Sequence, residues 1–340
     1  MSHDLPDYRT ILLERRGRLL VMTLNRPEAL NAVNLDLHDE LPEALAFAGR
    51  DNGSDVVLLT GAGRAFSAGG DIAHMEHNAA NPHLFDHEAR QAKRIVSALL
   101  DIEKPVVCRM NGHAVGLGAS IALLCDIIFA AEGAKIGDPH VRIGLVAGDG
   151  GAVIWAQRIG LAKAKEYLLT GELLSAAKAA EIGLINHCLP ADRLDEAVDA
   201  FCARLLAGAP NAIRWTKILT NMELKRIAGA VMEAGIAYES LSVRTADHRE
   251  GIAALKEKRT AKFTGRLDER DERRSSSPAR FDRVACLCRT LQGRMSCPLL
   301  VACYRRSDNI RHAHPAPLGA GDADRFLDAF DLSLIHISEP

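Results

Sequence analysis

Residues 105–126, "PVVCRMNGHAVGLGASIALLCD", decide how the chain is read. A run of apolar and β-branched residues enters a glycine-rich turn, and the turn leads straight into an apolar helix. Residues 56–75, "VVLLTGAGRAFSAGGDIAHM", repeat that layout. A strand that ends in glycine and hands over to a helix leaves backbone N–H groups without partners, with the helix dipole behind them. Such groups bind phosphate or hold a developing oxyanion. Two turns of this kind can aim two N–H donors at one oxygen. The segment "GHAVGLG" also invites a dinucleotide reading, but its spacing is not G-x-G-x-x-G. The acidic residue expected about 20 positions on is missing as well, since Asp126 comes too early.

Outward from these turns, "TILLERRGRLLVMTLN" holds two short β-rich runs hinged at Arg16-Gly17, a hairpin signal. "NLDLHDELPEALAFAGRD" has helical spacing, with Leu37, Leu41, Leu45 and Ala48 on one face and Pro42 expected near an end or a kink. "FDHEARQAKRIVSALLDIE" is an amphipathic helix and "IIFAAEG" a strand. From 151 to about 258 the pattern is almost all helix. Strands alternating with helices, followed by helices alone, predict an α/β core with a helical region appended.

The bulk properties set limits. The chain has 340 residues, 48% hydrophobic and 25% charged, with a net charge of −2. That balance argues against general binding to nucleic acid or an anionic membrane. No apolar signal segment is seen at the N-terminus and no apolar run is long enough to span a bilayer, so a cytoplasmic location is expected. Cys108, Cys125, Cys188 and Cys202 sit singly in apolar runs and read as small core residues. After Arg266 the composition shifts: residues 267–340 hold 11 arginines and no lysine, against 20 arginines and 11 lysines before them. This tail, with four further cysteines, is read as a disordered or non-native, out-of-frame extension and is left out of the functional argument.

The blocks "LNRPEALNAV", "GRAFSAGGDI", "KPVVCRMNGHAVGLGASIALLCDIIFAAEGAKIGDP", "IGLVAGDGG", "LLTGELLSAAKAAEIGLIN" and "REGIAALKEKRTAKFTGR" stand in order between about Tyr8 and Arg266. Together they resemble the enoyl-CoA hydratase/isomerase (crotonase) superfamily. The resemblance implies a crotonase-like spiral of ββα repeats over residues 1–200 and a C-terminal helical trimerisation region over 201–266. It also implies an acyl-CoA thioester substrate, a homotrimer or dimer of trimers, and no cofactor beyond the coenzyme A that the substrate carries. Two backbone N–H groups, those of Gly70 and Leu117, would hold the thioester oxygen as an enolate forms. Substrate contacts are expected from Arg26, Ala29, Ala68, Asp71 and Ile72. His113, Gly116, Ser120 and Lys262 complete the expected set, with Arg26 and Lys262 facing the CoA phosphates.

Two departures bear on activity. Leu117 stands where the family has the middle glycine of its turn; a backbone N–H survives that change, though its side chain also reads as packing under the helix. Ser120 and His140 stand where hydratases of the family carry glutamates. A serine hydroxyl is too weak an acid and base to replace a carboxylate at neutral pH. Within "GDPHVRIGLVAGDGG", residues 137–151, His140 and Asp149 are then the candidate proton carriers, with Asp138 and His113 nearby. Asp149 also reads as a helix N-cap, and burial would raise its pKa. The expected enzyme is therefore a lyase or isomerase of this family. A double-bond isomerase, a thioester hydrolase and a non-catalytic acyl-CoA-binding protein are the alternatives. His74, His77, His83 and His87 lack metal-ligand spacing and read as solvated residues of a mobile loop over the entrance; no metal site is expected.

Overall fold

A computed structural model describes residues 5–266; the tail from 267 onward lies outside the described residues. The chain begins with a hairpin of β1 (Ile11–Arg16) and β2 (Leu19–Leu24), which turns at Gly17 with φ +61°. Helix α1 (Leu35–Arg50) follows, capped by Asn34, whose side chain accepts the Leu37 N–H at 3.0 Å. Strand β3 (Val56–Gly61) is succeeded by helices α2 (Ile72–Ala80) and α3 (Phe85–Asp101). Then come β4 (Val106–Met110), β5 (Ala114–Val115), α4 (Leu117–Leu124), β6 (Ile127–Ala131) and β7 (Lys135–Gly137). The remainder is α5 (Gly151–Thr170), β8 (Leu174–Ser175), α6 (Ala176–Glu181), β9 (His187–Leu189), α7 (Ala191–Leu206), α8 (Pro210–Ser242) and α9 (Ala246–Lys256).

Six strands form one sheet in the order β1-β2-β3-β4-β6-β9, with only the β1–β2 pair antiparallel. Alternation of side chains sends Leu20, Met22, Val57 and Leu59 to one face and Leu19, Val21, Val56 and Leu58 to the other. The first face packs on α1, α3 and α4; the second packs on Leu194, Val198 and Cys202 of α7, a helix that continues past residue 200. Both faces are covered, so the parallel strands read as unbroken apolar runs. Beside this sheet runs a second, shorter layer. Val33 bridges Gly70, Ser67 bridges Ala114, β5 pairs β7 and β7 pairs β8. Each turn of chain thus lays one strand in each layer before its helix, which is the ββα spiral expected.

Leu37, Leu41 and Leu45 of α1 are fully buried, and such burial contributes roughly 1.5–3 kcal/mol per side chain. That helps explain where Pro42 lies: in the interior of α1 rather than near an end. An interior proline costs about 3 kcal/mol, less than the leucine face supplies. The expected entrance loop is also replaced by structure, since residues 72–87 form α2 and the start of α3. Asp71 caps α2 by accepting the His74 N–H at 3.3 Å. His74 then reaches Glu88 at 2.7 Å and His87 reaches Asp39 at 2.6 Å, while His77 and His83 are exposed as expected.

Candidate active site

The Ser67–Ala114 bridge sets the geometry of the two glycine turns. The pairing is parallel, and the Val115 N–H donates to the Ser67 carbonyl at 3.0 Å. Gly70 and Leu117, each three residues further on, therefore lie at matching offsets along adjacent chains. Gly69 permits the close approach: its φ is +85°, and a Cβ there would sit 2.6 Å from the Val115 carbonyl oxygen. Val33 donates to the Gly69 carbonyl and accepts from Asp71, so the Gly70 N–H is bypassed. Leu117 is the first residue of α4, turned there by Gly116 at φ +55°. Among the described residues neither the Gly70 nor the Leu117 N–H has a protein acceptor. The Leu117 side chain is buried in the core while its N–H stays available, so it packs under the helix and keeps the donor.

Beside α4 lies a buried chain of polar groups. The Gly116 N–H donates to the Gly137 carbonyl at 2.9 Å, which brings the end of β7 against the helix start. Asp138 follows, and its carboxylate hydrogen-bonds His140 Nδ1. His140 Nε2 lies 3.3 Å from Asp149 Oδ2, and the Ser120 hydroxyl donates to Asp149 Oδ1 at 3.3 Å. All four residues are buried. Burial pushes the His140 pKa down, but the Asp138 and Asp149 carboxylates outweigh it and hold the ring well above the ordinary imidazole value. Burial alone would raise Asp149, as the sequence led one to expect. The adjacent His140 cation reverses the sign and holds Asp149 below its usual range. The N-cap of α5 is Gly150, at φ +127°, so Asp149 caps nothing and faces Ser120 and His140.

Asp138, His140 and Asp149 place three ligating atoms within 4.8 Å of one another, close enough for a metal among the described residues. In the structure the three side chains are joined to one another, with His140 between the two carboxylates.

The other expected contacts are placed as follows. Arg26 is largely buried, bonded to the Ala32 carbonyl and paired with Asp71 at 3.2 Å. Its charge is thus compensated inside the fold rather than offered to a phosphate. Ala29 lies in a short 3-10 turn, Ala68 donates its N–H to Leu30, and Ile72 begins α2. His113 Nδ1 accepts the Lys135 N–H at 3.0 Å, which fixes it at the junction of β5 and β7. Lys262 is exposed beyond α9, its own N–H donating to Glu250. Two groups escaped sequence reasoning. His38 and Asn78 converge on buried Glu88, with Asn78 donating at 2.7 Å and His38 Nε2 lying 3.9 Å away. Glu239 of α8 is buried beside the Asp149 turn, with Oε2 unpartnered.

The family model for enoyl-CoA hydratase/isomerase matches residues 14–266. The crotonyl-CoA hydratase of Syntrophomonas wolfei is 33% identical over 258 residues, covering 75% of this chain and 98% of that protein. The 2,3-dehydroadipyl-CoA hydratase of Escherichia coli is 32% identical over 260 residues, 75% of this chain and 99% of the other. A crystal structure of an enoyl-CoA hydratase/isomerase from Mycobacterium paratuberculosis superposes with a TM-score of 0.70 at 39% identity, covering 74% of this chain and 99% of that one. With two adjacent strand-to-helix turns, a ββα spiral and a match across nearly all the described residues, the chain belongs to the enoyl-CoA hydratase/isomerase family.

Proposed function

We propose that the protein moves a proton at Cα of an acyl-CoA thioester, with the Gly70 and Leu117 N–H groups on the thioester oxygen and Asp149 as the proton carrier. One observation carries this reading: Asp149 accepts a hydrogen bond from Ser120, one turn along the helix whose first N–H is that of Leu117. A carboxylate thereby stands a single helical turn from the oxyanion donors. The two N–H groups favour the enolate over the ground-state carbonyl, and each such donor contributes about 10²–10³ in kcat. His140, held by Asp138, favours the ionised form of Asp149. Proton transfer of this kind requires no cofactor beyond the coenzyme A of the substrate. The hydratase names of the relatives support water addition to a 2-enoyl-CoA as the net reaction.

Asp149→Asn removes the carrier and keeps the shape. Turnover on a panel of 2-enoyl-CoA esters should fall by about 10²–10⁴ while CoA-ester binding persists. Undiminished turnover in that variant would remove Asp149 from the mechanism. Deuterium incorporation at Cα and Cγ without water addition would assign a double-bond isomerase, release of free CoA a hydrolase, and binding without turnover a non-catalytic protein.

The assembly that fits is a homotrimer or dimer of trimers working in the cytosol. Support for self-association comes from Trp215, Leu219 and Met222, a row of apolar side chains on α8 that are 61%, 68% and 61% exposed.

A further inference from the structure

We propose that Glu239 is the second proton-carrying carboxyl of this site, delivered from α8 to do what the residues at 120 and 140 cannot. The proposal rests on the assignment of Asp149 as the first carrier and extends it to the step that gives Cα its proton.

The end of α8 is fastened to the loop that carries Asp149. The Val146 N–H donates to Ser242 Oγ at 3.2 Å. Gly235 and Gly148 meet backbone to backbone: a Cβ on Gly148 would come within 2.3 Å of the Gly235 carbonyl oxygen. One turn beyond Gly235, Glu239 places Oε2 2.9 Å from that same Cβ position, next to the residue that precedes Asp149. Glu239 is 5% exposed, and among the described residues its Oε2 has no hydrogen-bond partner. Buried polar atoms are almost always paired, and leaving one unpaired costs roughly 1–3 kcal/mol. A carboxyl with an unpartnered oxygen, turned toward a catalytic loop, serves packing poorly and serves a reactant well.

The charged groups around it come from two other elements. Asp149, His140 and Asp138 of the loop and Glu88 of α3 act on it through their charges. Burial first, then the Asp149 charge, pushes Glu239 well above the usual carboxyl range. Asp149 is held in the opposite direction by His140. Two carboxyls of opposite protonation state, set apart by their surroundings, form an acid and a base in one site. His140 is not a rival donor, since both ring nitrogens are engaged by carboxylates.

The step balances. Asp149 takes a proton from water as the water oxygen bonds to Cβ. The double-bond electrons move into an enolate, whose oxygen is held at Gly70 and Leu117. The Glu239 proton then bonds to Cα as the enolate collapses. Asp149 is now an acid and Glu239 a carboxylate, and one proton passed between them restores both.

Glu239→Gln decides the matter, because glutamine is a near-isostere of the neutral acid but cannot release a proton. With the best substrate of a 2-enoyl-CoA panel, kcat should fall by about 10²–10⁴ with KM within a few-fold and melting temperature unchanged. Glu239→Asp, which retains a proton on a shorter arm, should recover part of the rate. If Glu239→Gln works within a few-fold of wild type while Asp149→Asn is inactive, Glu239 is not the acid and the Asp149 reading stands alone. If both Glu239 variants lose rate and melting temperature together, Glu239 is a packing residue and the proposal falls. Full activity of Asp149→Asn, or failure of the wild type to hydrate any ester, overturns both readings.

Discussion

His140 neutralises two buried carboxylates, and removing it should be expensive. His140→Ala leaves Asp138 and Asp149 without their counter-charge, so unfolding by urea should show a loss of about 3–5 kcal/mol. The pH signs follow from the shifts. The contribution of His140, whose pKa is raised on folding, is complete below about 6.5 and is lost as pH rises through its folded value. That of Asp149, whose pKa is lowered, is complete above about 4 and is lost as pH falls through its folded value. His248 behaves oppositely to His140. Its ring meets the Ile143 carbonyl at 2.8 Å, and burial lowers it to about 4. The fold prefers it neutral, so its contribution is complete above about 6.5 and declines toward pH 4, by roughly 3 kcal/mol in all. In His248→Gln the slope of stability between those pH values should flatten, leaving the share due to buried His38.

At the scale of elements, the abutting turns depend on Gly69. Gly69→Ala would place a side chain at φ +85° and drive a methyl group into the Val115 carbonyl. The variant should lose about 1–3 kcal/mol of stability, and turnover should drop by about 10²–10³ as the two donors splay, read by melting temperature and kcat. Much of this level was legible in the sequence. Long apolar runs gave β3 and β4, and helical spacing gave α1 and α3 and the mostly helical stretch from 151 to about 258. Strands β5 and β7, of two and three residues, are too short to carry a period. The start of α2 was legible in the glycine turn, but its continuation was read as loop because the four-histidine neighbourhood lacks an apolar stripe; its order comes instead from the Asp71 cap and the His74–Glu88 contact. Asp149 was legible as a candidate but its charge was not, since the sign depends on a cation folded against it. Glu239, ninety residues beyond Asp149, gives no local signal at all.

For the whole molecule, α8 faces two ways. Trp215, Leu219 and Met222 stand exposed near its start, while Glu239 is buried near its end. On the proposed trimeric assembly, Trp215→Glu combined with Leu219→Lys should lower the mass in solution to that of a monomer, and a wild-type mass already that of a monomer would overturn the assembly, both measured by light scattering. Because α8 packs on α3 and α5, one helix ties the exposed apolar row to the buried carboxyl, so a change that shifts this helix is felt at the surface and in the interior together.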